Sequence, residues 1–131
     1  MNKTILIADS DVSSIEAVRT HLRVAGFDVI TVTNGDEAIK LLSLHSIDIC
    51  IAAFDLPGKS GLEVSQYAKK DHVNVPVIIV SGNGSLETER CARIASPYFY
   101  MVKPVNLKDL DAVIERIFTA SFAGAVQRRV V

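Results

Sequence analysis

With 131 residues, 49% of them apolar and 22% charged, the chain has the length and balance of one soluble globular domain with a full core. A formal net charge of −1 sets up no strong field, which argues against nucleic acid or an anionic membrane as a direct partner. No run reaches the roughly 20 apolar residues of a membrane span, the segment from Met1 to Ser10 is too short for a signal peptide, and Cys50 and Cys91 share no ligand or disulfide spacing, as suits a reducing cytoplasm.

Short apolar runs then alternate with helical periodicity. Thr4 to Ala8 (TILIA) predicts a buried first strand. Ile15, Val18, Leu22 and Ala25 recur at helical spacing, Ser13 with Glu16 forms a candidate capping box, and Gly26 closes the helix. Phe27 to Val32 predicts the second strand, and Asn34 with Glu37 opens a second helix with Ala38, Leu41 and Leu42 on its inner face. Asp48 to Ala53 predicts the third strand, Leu56-Pro57-Gly58 a loop, and Ser60 with Glu63 the start of a third helix that turns Val64, Tyr67 and Ala68 inward. Val75 to Val80 predicts the fourth strand, Ser81 to Gly84 a turn, and about Ser85 to Ala95 a short helix. Tyr98 to Val102 predicts the fifth strand, and Asn106 caps a last helix with Leu107, Leu110, Ile114, Ile117 and Phe118 on its inner stripe. Periodicity fades from Thr119 onward, so residues 1–120 read as one domain and 121–131 as a helix end or a linker toward an output domain.

The strand runs are continuously apolar, as when helices cover both sheet faces. The expected fold is α/β, a doubly wound five-stranded parallel sheet of (βα)5 type. In such sheets the site lies at the carboxyl ends of the strands, near the switch point in strand order. Those ends carry Asp9-Ser10-Asp11, Ala53-Phe54-Asp55, Ser81-Gly82 and Lys103-Pro104. Acids, a hydroxyl and a lysine therefore converge on one edge. Hard oxygen ligands suit Mg²⁺, and a lysine with a hydroxyl suits phosphoryl oxygens. Asp9 reads either as a metal ligand or as a buried partner for Lys103, and Asp11 as a ligand or a helix cap. Ser81 to Gly84 reads as a plain turn or an anion nest. His21, His45 and His72 share no ligand spacing and read as surface or boundary residues.

These motifs, in this order, resemble the receiver domains of two-component response regulators. The resemblance rests on Ile5-Leu6-Ile7-Ala8-Asp9, Pro57-Gly58-Lys59-Ser60-Gly61, Ser81 and Tyr100-Met101-Val102-Lys103-Pro104, and spans Asn2 to about Phe118. It implies a flavodoxin-like fold with strand order 2-1-3-4-5 and a signalling module without enzymatic turnover. The implied site has an acceptor Asp four residues before the Pro, an acidic pair that binds Mg²⁺, Ser81 and Lys103 on the phosphoryl group, and Tyr100 as the switching aromatic. The implied metal positions are Asp9 and Asp55, the latter through its backbone carbonyl. The implied partner is a protein (a histidine kinase, an output domain or another regulator) that meets the fourth helix, fifth strand and fifth helix. A homodimer through that face stays open.

Two departures alter this expectation. Counting back from Pro57 puts Ala53 at the acceptor position, and the second acid of the first pair is Ser10. Neither an alanine nor a serine replaces a carboxylate on Mg²⁺, so the expected cofactor is none or weakly held Mg²⁺. Asp55 as a shifted nucleophile is two residues out of place. The leading reading is a degenerate receiver acting by protein contact. An ordinary phospho-accepting receiver carrying an engineered Asp-to-Ala change at position 53 is the alternative. A flavodoxin-like cofactor binder ranks last, because the acidic Asp9-Ser10-Asp11 loop repels a phosphate.

Overall fold

The computed structural model describes residues 2–70, 72–82, 84–94 and 96–123, with side chains as far as 119. Its elements run β1 (Thr4–Ala8), α1 (Val12–Val24), β2 (Asp28–Val32), α2 (Gly35–Leu44), β3 (Ile49–Ala53), α3 (Gly61–Ala68), β4 (Val77–Ser81), α4 (Leu86–Ile94), β5 (Phe99–Val102) and α5 (Leu107–Ala123). All neighbouring strands are parallel, in the order β2-β1-β3-β4-β5. This is the doubly wound sheet the apolar runs predict, in the flavodoxin-like strand order that the resemblance implies.

Alternation along each strand sorts the core into two layers. Leu6, Ala8, Cys50, Ala52, Val77 and Ile79 face α2, α3 and α4, where Ala38, Leu42, Val64, Ala68 and Ala92 meet them. Ile5, Ile7, Ile49, Ile51, Ile78 and Val80 face α1 and α5, where Ile15, Val18, Leu22, Leu110, Val113 and Ile114 pack. The three central strands are buried almost throughout, whereas the edge strands β2 and β5 keep exposed residues. Burial pushes the Cys50 thiol up to about 12, so it stays a protonated, inert core residue.

Several boundaries differ from the sequence reading. The capping box of α1 is not Ser13 with Glu16. Asp11 is the N-cap and accepts from the amides of Ser13 and Ser14, while Glu16 pairs with Arg19 instead. Ala25 falls outside the inner face, as the exposed C-cap of α1, and Gly26 follows in the left-handed region at φ +100°. β4 starts at Val77 rather than Val75. The Pro76 carbonyl still accepts from Cys50 (3.0 Å), but proline has no amide to donate to the ladder. The capping box at Ser60 with Glu63 is present as expected. Asn106 Oδ1 accepts from the Asp109 amide at 3.0 Å and so caps α5. That helix continues past residue 120 to Ala123, and 124–131, part of the suggested linker, lie outside the described residues.

Candidate functional site

The chain leaves β1 toward β2 on one side and returns to β3 on the other. The crevice of such a sheet opens where the order reverses, at the carboxyl ends of β1 and β3. Asp9 follows β1 directly. Its amide donates to the Val32 carbonyl (3.0 Å), and its carboxylate is buried with 7% of the residue exposed. Asp9 Oδ1 accepts from the Asp11 amide at 2.9 Å. The Lys103 ammonium lies 2.9 Å from Asp9 Oδ2 and 3.2 Å from Oδ1, and 3.8 Å from Asp11 Oδ2. The Lys103 amide donates to the Ser81 carbonyl (2.8 Å). One lysine therefore ties the ends of β1, β4 and β5 together. The expected Asp9–Lys103 pair is present, and Asp11 serves as both helix cap and outer partner of the ammonium.

The Asp11 carboxyl is held below its ordinary range. Hydrogen bonds from the Ser13 and Ser14 hydroxyls, then the Ser14 amide, hold it there, and Lys103 adds a smaller pull. A depressed carboxyl stabilises the fold above its unfolded pKa and loses that contribution as pH falls through its folded value. The wild type should therefore melt higher than Asp11→Ala at neutral pH. The gap should begin to narrow below about pH 4, the ordinary aspartate value, and go on shrinking as pH falls through the lower folded value. Melting curves of both proteins across pH 2–7 test this, and a gap independent of pH would contradict it.

Ala53 ends β3 and is buried, with its methyl group in the core layer shared by Ala8 and Ala52. Ser81 ends β4 and is also buried. Ser10 and Asp55 are exposed and border a shallow open depression of about 390 Å³, along with Phe54, Leu56, Pro57 and Ser60. The structure thus gathers Asp9, Asp11 and Lys103, and leaves Ser10 and Asp55 on the neighbouring rim. This donor set does not fit a divalent cation. Ala53 offers a methyl group, Ser10 a neutral hydroxyl, and both oxygens of Asp9 already face an ammonium. Among the described residues no three acidic, histidine or cysteine side chains come together as ligands.

The loop carrying Asp55 is fastened from outside. The Gly35 amide, at the start of α2, donates to the Pro57 carbonyl (3.0 Å), and the Gly61 amide donates to that of Phe54 (3.1 Å). A Cβ on Gly35 would stand 1.7 Å from the Lys59 carbonyl oxygen, and one on Gly61 2.3 Å from that of Ala53. Backbone packs directly on backbone at both points. Sequence reasoning passed over this interlock, as it did the contact of His21 Nε2 with Asp111 Oδ1 (2.8 Å), which joins α1 to α5.

A second concavity, about 340 Å³, lies along β5 and α5 between Tyr100, Val102, Pro104, Asn106, Val113 and Arg116. Phe99 and Val102 beside it are 39% and 43% exposed. Tyr100 is half-buried: it lines this groove and also packs against the core.

A family model described as the response regulator receiver domain matches residues 5–115. The cell cycle transcriptional regulator CtrA of Caulobacter vibrioides is 25% identical over 117 residues, which are 89% of this chain and 51% of that protein. The alkaline phosphatase synthesis transcriptional regulatory protein PhoP of Bacillus subtilis is 26% identical over 125 residues, 95% of this chain and 52% of that protein. The chain thus spans about half the length of these curated relatives. Among solved structures, a CheY-like receiver domain protein from Methanospirillum hungatei JF-1 superposes with a TM-score of 0.83 at 26% identity, covering 95% of this chain and all (100%) of that one. The receiver domain of Francisella response regulator 1452 has the same fold, with a TM-score of 0.81 at 24% identity over 90% of this chain and 98% of that one.

Proposed function

The chain belongs to the response regulator receiver domain family, and from that premise we propose that it signals by protein contact without taking a phosphoryl group. Receiver domains of response regulators are signalling modules. The observation that carries the finer reading is Ala53, the buried residue at the end of β3, four positions before Pro57. An alanine has no nucleophile for phosphoryl transfer. Asp55 does not replace it, because its side chain is exposed on the rim of the depression rather than beside Asp9 and Lys103. Ser81, Tyr100 and Lys103 are then switch positions without a phosphoryl group to respond to. The two-state element they form is biased by whatever binds it.

The contact surface in this reading is α4, β5 and α5. The groove beside Tyr100 and the exposed Phe99 and Val102 support it. The partner is a histidine kinase, an output domain or another regulator, with a homodimer as the competing occupant. With a net charge of −1 and no described helix long and apolar enough to cross a membrane, neither nucleic acid nor lipid is assigned to this domain. Free Cys50 and Cys91 fit a reducing cytoplasm.

Incubation with a small phosphodonor and Mg²⁺, followed by intact-mass spectrometry, tests the reading. No phosphoryl adduct is expected. A stoichiometric, base-labile adduct would overturn the proposal and point to Asp55.

A further inference from the structure

We infer that Lys103 is a resident counter-ion: its ammonium fills, from within the chain, the role of a divalent cation at this edge of the sheet, and thereby excludes one. The inference rests on reading this edge as a receiver site without its acceptor, and goes beyond it by naming what now neutralises the remaining acids. Asp9 is almost fully buried, and a buried carboxylate needs a positive partner. Both of its oxygens lie within 3.2 Å of the Lys103 ammonium, and Oδ1 also takes the Asp11 amide. Asp11 lies 3.8 Å from the same ammonium and is otherwise engaged with Ser13 and Ser14. Lys103 thus compensates the buried Asp9 without any added ion, while the exposed Asp11 is satisfied by Ser13 and Ser14.

The missing carboxylates at positions 10 and 53 are not the sole reason such a site refuses a cation. A doubly charged ion placed beside Asp9 would lie about 4 Å from a lysine charge, with a repulsion of roughly 2 kcal/mol even at the dielectric of water, or about thirtyfold in affinity. Removing that charge should open Asp9 and Asp11 to a metal even though Ala53 and Ser10 remain. The device also has a mechanical side. The lysine backbone is bonded to Ser81 and the next residue, Pro104, lines the β5–α5 groove. The ion pair therefore links the end of β5, across the edge of the sheet, to the end of β1, next to the proposed contact face.

The test compares wild type with Lys103→Gln, which keeps a hydrogen-bond donor for Asp9, and Lys103→Arg, which keeps the charge. Each is titrated with MgCl2 by calorimetry and melted with and without the salt, with NaCl matched for ionic strength. Wild type and Lys103→Arg should be indifferent to Mg²⁺. Lys103→Gln should melt lower, bind Mg²⁺ about thirtyfold more tightly than wild type, and recover part of its lost melting temperature on binding. Adding Asp9→Asn should abolish the gain. A Lys103→Gln protein that ignores Mg²⁺, or a wild type that binds it as tightly as the variant, overturns the inference. The wider reading fails separately: a phosphoryl adduct on the wild type would sink it, while the Mg²⁺ titrations would still decide the role of Lys103.

Discussion

Gly35→Ala should lower the melting temperature by on the order of 10 °C, a loss of about 2–3 kcal/mol for a domain of this size. Helix propensity alone predicts the reverse, since alanine exceeds glycine by about 0.8–1.0 kcal/mol in a helix interior. Space reverses the sign. The added Cβ would stand 1.7 Å from the Lys59 carbonyl oxygen and 2.5 Å from its carbon. Both are backbone atoms, so no rotamer change relieves the clash. The start of α2 must back away from the 57–61 loop and give up the Gly35–Pro57 hydrogen bond, itself worth about 1 kcal/mol. Gly82→Ala is the control, because nothing lies within 4 Å of its added Cβ, and its stability should hardly change. Urea unfolding of the three proteins gives the comparison: a fall in midpoint at unchanged slope reports lost stability alone. A Gly35→Ala protein as stable as wild type would show that α2 and the loop are not interlocked, and that Asp55 is free to move toward Asp9.

Why the sequence reveals some of this and hides the rest follows from how far each interaction reaches along the chain. The apolar runs at Thr4–Ala8, Asp48–Ala53 and Val75–Val80 are legible because burial on both faces leaves the middle of a strand apolar. The Asp9–Lys103 pair spans 94 positions yet was expected, because parallel strands bring their carboxyl ends to one edge whatever lies between. At α1 the sequence offers two overlapping caps within three residues, Asp11 and the Ser13–Glu16 box. Asp11 prevails by accepting from two hydroxyls as well as two amides. The seat of Gly35 on Lys59 and the meeting of His21 with Asp111 leave no periodic trace. They depend on how whole helices settle, which no local pattern encodes.

Restoring the missing acid should not restore the chemistry, because position 10 lacks its own. Ala53→Asp would place a nucleophile at the end of β3, on the edge that carries Asp9, Ser81 and Lys103. The position is 4% exposed, so the new carboxylate must share Lys103 with Asp9 or take up a cation. With Ser10 still neutral, a metal there lacks one of its charged ligands, and the charge developing in phosphoryl transfer is poorly neutralised. The single variant should therefore label slowly with a small phosphodonor, even at high Mg²⁺. Ser10→Asp added to it should accelerate labelling about tenfold or more, the effect of roughly 1.4 kcal/mol or more at the transition state. The double variant should also gain melting temperature with Mg²⁺, because four carboxylates at one edge repel one another until a cation binds. Labelling rates with and without Mg²⁺ decide between histories of the site. A rapid, Mg²⁺-dependent Ala53→Asp protein that ignores the change at position 10 would mean that one substitution had silenced an ordinary receiver. A slow single and a faster double variant would mean that the site had lost its metal and its nucleophile together, with Lys103 left to neutralise what remained.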